Sequence, residues 1–211
     1  MTAFRRGAIA AGLAAASLLA PAIVAVHIAR HGRNVPFMDE WGHSVWLSVA
    51  AGRGEVTAPA VFVQQNAHYL VFHNLSTLAL TWTTRWDLKA GMFANLGWAV
   101  LAWLLALALY GRARAWLAPP LSVLVFSLRQ RECWLWAQLD TYLFLSALAL
   151  GALVLLLRSP ASWRALAGAG ALCLFATFSA ASGLALWPAV WLALPALGYH
   201  GPRPRAAWGD R

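Results

Sequence analysis

Long apolar runs alternate with short polar segments along most of this 211-residue chain. The first run, residues 7–29, contains no Asp, Glu, Lys or Arg and is long enough to cross about 30 Å of hydrocarbon as a helix. A cleaved signal peptide is the alternative, because Ala20-Pro21-Ala22 offers small residues. The apolar run continues past that point, so an uncleaved first membrane span is the favoured interpretation.

Four or five further spans are predicted after the first. Their apolar runs are residues 91–110, 117–128, 141–157 and 166–197. The run at 117–128 is short and contains Pro119-Pro120, which is typical of a broken or partial span. The last run is long enough for two short spans with a turn near residues 179–183. The pattern predicts an all-α, polytopic transmembrane bundle of about six spans, with residues 1–211 in a single domain.

The segment between the first two spans, residues 30–89, is polar and aromatic. It predicts a large external loop with short amphipathic, juxtamembrane helices. Residues 41–51 form one such pattern, with Asp39 as the expected N-cap and Gly52 and Gly54 as the residues expected to end the helix. Residues 69–84 form another, apolar enough to suggest a crossing, although His73 and other polar side chains interrupt the run.

Composition excludes a soluble protein, because 61% of the residues are hydrophobic and only 11% are charged. Soluble domains contain about 25% charged residues. The net charge of +9 does not indicate nucleic-acid binding, since the arginines flank apolar runs as the positive-inside rule expects.

Charge placement predicts the topology. If residues 69–84 lie on the membrane without crossing it, six crossings place nine of the sixteen basic residues in short segments on one side. Six of the seven acidic residues then lie on the other side, leaving only Asp210 with the arginines. We therefore expect both termini in the cytoplasm and residues 30–89 outside.

The adjacent carboxylates Asp39 and Glu40 are the strongest chemical signal in the external loop. A carboxylate near the membrane is costly unless it is solvated, paired or bound to a metal ion. One of them can act as a general base, or the pair can help to hold a divalent cation such as Mg or Mn. His43 lies four residues after Asp39 and would complete a weak metal motif. The alternative is purely structural: Asp39 caps a helix and Glu40 supports its dipole.

A second external cluster, residues 129–140, concentrates charges and tryptophans. Arg129 and Arg131 are suited to bidentate phosphate binding, and Trp134 can stack on a sugar or line a lipid tail. The alternative is an interfacial belt in which the charges pair with each other, with Arg129 and Arg131 as the nearest partners of Glu132 and Asp140. In the first loop, His68 stands out because it follows the polar stretch Gln64-Gln65-Asn66. Walker, dinucleotide-binding, serine-hydrolase and zincin motifs are all missing from the sequence.

The order of these motifs resembles a group of bacterial multi-pass proteins that are similar to GT-C glycosyltransferases. The matching segments are Pro36-Phe37-Met38-Asp39-Glu40-Trp41, then Gln65-Asn66-Ala67-His68-Tyr69, then Gln130 to Gln138 with Glu132, Trp134, Leu135 and Trp136, and finally Ser182-Gly183-Leu184 to Trp187-Pro188. Ala67 and Tyr69 stand where the group usually has Glu and Arg. The resemblance extends over about residues 30–190.

The resemblance implies an external active site in a bacterial inner membrane. GT-C enzymes transfer a sugar from a polyprenyl-phosphate donor to an acceptor. Asp39 would then be the base, Glu40 its neighbour, and Arg129 or Arg131 a phosphate contact. Other substrate-binding residues would be Asn66, His68, Glu132, Trp134 and Gln138. The alternative hypothesis is a non-catalytic membrane scaffold or transport component for envelope polysaccharide or lipid.

Overall fold

The chain forms a helical bundle with one very short β-hairpin. A computed structural model describes residues 3–65, 68–159 and 162–197. The helices are α1 (Ala3–His31), α2 (His43–Arg53), α3 (Ala58–Val61), α4 (Val71–Thr84), α5 (Leu88–Tyr110), α6 (Ala118–Val125), α7 (Arg131–Leu135), α8 (Asp140–Arg158), α9 (Trp163–Thr177) and α10 (Leu186–Ala196). Strands β1 (Gln64–Gln65) and β2 (His68–Tyr69) are antiparallel. Short 3-10 helices cover Met38–Trp41, Arg112–Leu117, Leu128–Gln130, Ala137–Leu139 and Ala181–Ala185.

Three helices are long and apolar enough to cross a membrane, which supports an integral membrane protein. They are Gly7–His31, Leu88–Tyr110 and Ala137–Arg158. The apolar helices Trp163–Thr177 and Ala181–Ala196 are shorter. Within the bundle, α5 packs along α8, α1 packs on α6 and α5, and α9 also packs on α8.

The nearly all-helical fold confirms the predicted fold class, apart from the unpredicted β-hairpin. Each apolar run became a helix, and the run at 166–197 became two helices separated by a 3-10 turn. The proline-containing run gave only the eight-residue α6, with Pro119 and Pro120 in its first turn, where missing N–H groups cost nothing. The count of about six crossings stays a prediction.

The main core lies between α1, α5, α6 and α7. Its buried side chains include Val24, Ile28, Trp103, Phe126 and Trp134. A polar contact also holds α7 against α5. The fully buried Asn95 of α5 donates to the carbonyl oxygens of Cys133 (3.0 Å) and Trp136 (2.9 Å), which fixes α7 and the following turn against α5.

The turn that precedes α2 differs from the expected helix cap. Asp39 lies inside the 3-10 helix Met38–Trp41, and Gly42 is the residue that precedes α2. The reason is that Glu40 supplies the local cap, because its Oε2 accepts the backbone N–H of Phe37 at 2.8 Å. The prediction that Asp39 caps α2 was therefore wrong. The C-terminal prediction was better: α2 ends at Arg53, and Gly54 follows with a positive φ of 72°.

Candidate functional site: the Asp39 cavity

Three of the sequence motifs meet around one cavity, which we call the Asp39 cavity. Its volume is about 190 Å³. It lies where α8 begins, between the 3-10 turns of Met38–Trp41 and Ala137–Leu139, the β-hairpin and the turn after α9. Its lining residues are Asp39, Gln65, His68, Leu70, Trp136, Gln138, Leu139, Thr141, Tyr142 and Ala180. Segments far apart in the sequence thus supply carboxylate, imidazole, amide, hydroxyl and indole groups to one small space.

Glu40 does not face the cavity but holds its walls together. The side chain is only 2% exposed. Its Oε1 accepts the backbone N–H of Gln138 at 3.0 Å, while Oε2 accepts that of Phe37. Burial raises the pKa of Glu40, and the two N–H bonds oppose that shift. The carboxylate therefore ties Asp39, its exposed neighbour, to the wall that carries Gln138.

His68 enters the cavity in a defined tautomer. Its Nδ1 accepts the backbone N–H of Ala181 at 3.3 Å. In the neutral ring the proton must then be on Nε2. His68 is therefore a hydrogen-bond donor through Nε2, while the Asp39 carboxylate is an acceptor.

Gln65, the second polar residue of the hairpin in the cavity, is oriented by α4. Its amide Nε2 donates to Oδ1 of Asn74 at 2.9 Å. Asn74 is fully buried and donates to the carbonyl of Val61 at 2.8 Å. Through Asn74, these two hydrogen bonds attach both the β-hairpin and the end of α3 to α4.

Two polar atoms at the cavity wall are buried and have no hydrogen-bond partner within the described part of the chain. They are Oε1 of Gln138, whose residue is 8% exposed, and Nε1 of Trp136. Both residues line the cavity. An unsatisfied buried acceptor and an unsatisfied buried donor, in two residues of one cavity wall, suit a ligand with hydroxyl groups, because each hydroxyl can both donate and accept.

A buried chain of hydrogen bonds lies beneath the cavity wall. Nδ1 of His73 bonds Oδ1 of Asp140 at 3.0 Å, and Nε2 of His73 lies 2.9 Å from Oγ of Ser44. Thr77 makes a longer contact of 3.4 Å with the same nitrogen. The order Ser–His–Asp resembles a hydrolase triad, but Ser44 is only 1% exposed and cannot meet a substrate. We interpret the chain as a tie between α2, α4 and the start of α8.

The second predicted cluster forms a neighbouring space, which we call the arginine cleft. It has a volume of about 430 Å³ and contains Arg129, Arg131 and Glu132, all with exposed side chains. Leu139 lines both the cleft and the Asp39 cavity. The two spaces therefore adjoin, with the cations on one side of Leu139 and Asp39 on the other.

Two predicted contacts are placed differently or lie outside the described residues. Trp134 is a core residue and not a substrate contact: it is 0% exposed, and its Nε1 donates to the carbonyl of Ser127 at 3.0 Å. Trp136, two residues later, lines the cavity instead. The predicted contact Asn66 lies outside the described residues.

The predicted metal pair does not assemble. Nε2 of His43 is 3.1 Å from the carbonyl of Ala60, so the ring faces α3 and does not line the cavity with Asp39. Burial lowers the pKa of His43. Within residues 3–65, 68–159 and 162–197, no three His, Cys, Asp or Glu side chains are placed to hold a metal ion together.

Sequence reasoning missed His73 and Trp136 as parts of the site. The signal for His73 was its spacing: His73, Asn74 and Thr77 share one face of α4, opposite the apolar side chains. Trp136 offered no such signal, because Trp134 and Trp136 look alike in the sequence and only the fold separates them.

Comparisons with protein families, with curated proteins and with solved structures found no match to this chain. The function is therefore argued from the residues and their geometry.

Proposed function

We propose that the protein is a GT-C-like membrane glycosyltransferase that transfers a sugar from a polyprenyl-phosphate donor to an envelope acceptor. The observation that carries the proposal is the adjoining pair of spaces: a polar cavity with unsatisfied hydrogen-bonding groups, and a cleft with two arginines beside it. A lipid-linked sugar has the same order of parts, a polyol next to a phosphate.

The Asp39 cavity suits the sugar. Trp136 gives an aromatic wall and an N–H donor, Gln138 gives an acceptor, and His68 gives a second donor. Neighbouring hydroxyl groups of a hexose can pair with such an alternation of donors and acceptors.

The arginine cleft suits the phosphate. Arg129 and Arg131 are exposed, so their guanidinium groups are free to form charge-assisted bonds with phosphate oxygens. Leu128 lines this cleft and also an apolar groove of about 300 Å³ between α1 and α6. The groove would receive the start of the lipid chain.

The proposed reaction uses Asp39 as the base and the arginines as the phosphate contacts. The Asp39 carboxylate takes the proton of an acceptor hydroxyl, and the hydroxyl oxygen attacks the anomeric carbon. The bond between that carbon and the phosphate oxygen breaks, and the phosphate leaves with the electron pair, stabilised by the arginines. General-base assistance of this kind contributes roughly 10²–10⁴ in rate. Since His43 is directed away from Asp39, we assign no step to a divalent cation.

The proposed topology is six crossings in a bacterial inner membrane with both termini in the cytoplasm. Three crossings are the long helices. The others are α6 with its flanking turns, α9 and α10. Residues 30–89 and the Asp39 cavity would then lie on the external side, where lipid-linked donors for envelope polymers are used.

A transfer assay tests the function. Purified protein in lipid nanodiscs is incubated with radiolabelled polyprenyl-phosphate hexoses and envelope acceptors, and labelled product is separated from lipid. Wild type and the control Asp87→Asn are expected to form product, and Asp39→Asn to lose at least about 99% of the rate. Transfer by Asp39→Asn at the wild-type rate would contradict the mechanism. Donor binding without transfer by wild type would favour a scaffold or transport component.

A further inference from the structure

Helix α2 exposes large apolar side chains on its outward face. Its inward face is mixed: Ser44 and Ser48 are 1% and 8% exposed, and Leu47 between them is fully buried. Trp46 and Val49 face outward and are 53% and 46% exposed. On a surface helix in water the outward face is instead polar or charged.

Helix α4 also exposes an apolar outward face. Its inward face carries His73, Asn74, Thr77 and Leu78, all buried. Its outward face carries Leu75, Ala79 and Trp82, at the i, i+4, i+7 spacing of one helical stripe, and all three are exposed. The two helices pack together through the buried side chains of Leu47, Ala51 and Leu78, and their exposed apolar faces therefore form one outer layer.

The position of α4 relative to the spans shows what surrounds this layer. Phe72 stacks on Phe144 of α8, with ring centroids 3.5 Å apart, and meets Trp98 of α5 edge-on. Trp98 is ten residues into α5, about 15 Å from its start at 1.5 Å per residue. Leu80, near the other end of α4, reaches Gly91 close to the start of α5. Helix α4 thus runs alongside α5, and its N-terminal end lies at the depth of the spans.

We infer that the outward faces of α2 and α4 are embedded in the lipid leaflet around this end of the bundle. The partner is the acyl-chain boundary of the bilayer itself. Apolar side chains at the depth of the spans contact lipid at no cost, whereas the same contiguous patch in water is unfavourable. Arg53 ends α2 and Arg85 follows α4, and both are exposed, so they can reach lipid phosphates from the edge of the layer.

Site-directed spin labelling tests the inference independently of the proposed function. In a Cys133→Ala/Cys173→Ala background, single nitroxides are placed through Val49→Cys, Leu75→Cys and Ala79→Cys, with Glu55→Cys as the control. The protein is reconstituted in phosphatidylcholine/phosphatidylglycerol vesicles, and power saturation measures accessibility to oxygen and to a water-soluble nickel chelate. The ratio of oxygen to nickel accessibility is expected to be several-fold higher at the three face positions than at the control.

Two outcomes would overturn the inference. Equal ratios at the face positions and at Glu55 would place the layer in water. Low accessibility to both reagents would mean that protein, such as a second copy of the chain, covers the face. All three face residues are exposed, so a label at any of them displaces no core side chain. Ala79→Cys adds a second labelled position on the outward face of α4.

Discussion

The carboxylate of Glu40 accepts the backbone N–H of Gln138 at 3.0 Å, across 98 residues of sequence. This one bond joins the first loop to the turn before α8. Asp39 and the side chain of Gln138 line the same cavity as a consequence of that junction. The acidic pair is therefore divided between two tasks: Glu40 holds the site together, and Asp39 faces the space where a substrate would bind.

Replacement of Glu40 should destabilise the fold even though no substrate contact is removed. Glu40→Met keeps the approximate shape but leaves the N–H groups of Phe37 and Gln138 without their acceptors. We expect a loss of about 2–4 kcal/mol in unfolding free energy, from two unsatisfied donors at about 1–3 kcal/mol each, partly offset because a buried charge is also removed. Tryptophan fluorescence during thermal unfolding in detergent measures it. The exposed Glu55→Met is the control, and an equal shift in both variants would count against the role given to Glu40.

The His73–Asp140 contact predicts a strong coupling between the two residues. His73→Leu leaves Asp140 buried without its partner, which is expected to cost about 3–5 kcal/mol. The double variant with Asp140→Leu removes both groups and should lose less than the sum of the single variants, by about 1–3 kcal/mol. A double-mutant cycle on unfolding free energies checks this. Strictly additive losses would show that the 3.0 Å contact has no energetic role.

His43 predicts a loss of stability in mild acid. Burial lowers its pKa in the folded protein, so the unfolded chain takes up a proton near its ordinary value of about 6.5 before the folded one does. The stability that the neutral His43 ring contributes is complete above that ordinary pKa, and it is lost as pH falls through the lower pKa of the folded state. His43→Gln should flatten the decline in melting temperature between pH 8 and pH 5 relative to the wild-type protein. An unchanged slope in His43→Gln would contradict the assignment.

Gly183 should tolerate no side chain. A Cβ at this position would overlap the backbone carbonyl of Ala176 at the end of α9. Gly183→Ala must therefore shift the turn after α9 and is expected to cost about 1–3 kcal/mol. Gly170→Ala is the matched control, because a Cβ there meets no atom within 4 Å and alanine favours a helix by up to about 1 kcal/mol. Equal melting temperatures for the two variants would disprove the tight turn.

The sequence predicted the helices better than the contacts between them. Apolar runs and glycine signals located α1, α5, α8 and the end of α2, because these depend on local composition. The pairing of His73 with Asp140 could not be predicted, since it joins residues 67 positions apart. Arg129 and Arg131 seemed the natural partners of Asp140 in the sequence, but the fold directs them into the arginine cleft.

Within the site, residue type was a better guide than residue position. Asp39, His68 and Gln138 were expected at the site and do share a cavity. Trp134 and Trp136 satisfy the same composition rule, so the sequence could not show which of them faces the site. What separates them is the end of α7 at Leu135. A change from helix to extended backbone at Trp136 directs that side chain to the cavity.

Binding of the lipid-linked sugar to the Asp39 cavity is the most direct measurement of the central claim. Gln138→Leu removes the unsatisfied amide but keeps the backbone N–H that Glu40 accepts. Equilibrium binding of a radiolabelled polyprenyl-phosphate hexose to protein in nanodiscs is expected to weaken about tenfold, as loss of one buried hydrogen bond implies. The exposed control Thr83→Val should bind like wild type. Equal affinity for wild type and Gln138→Leu, or no binding to wild type, would contradict the assignment of this cavity.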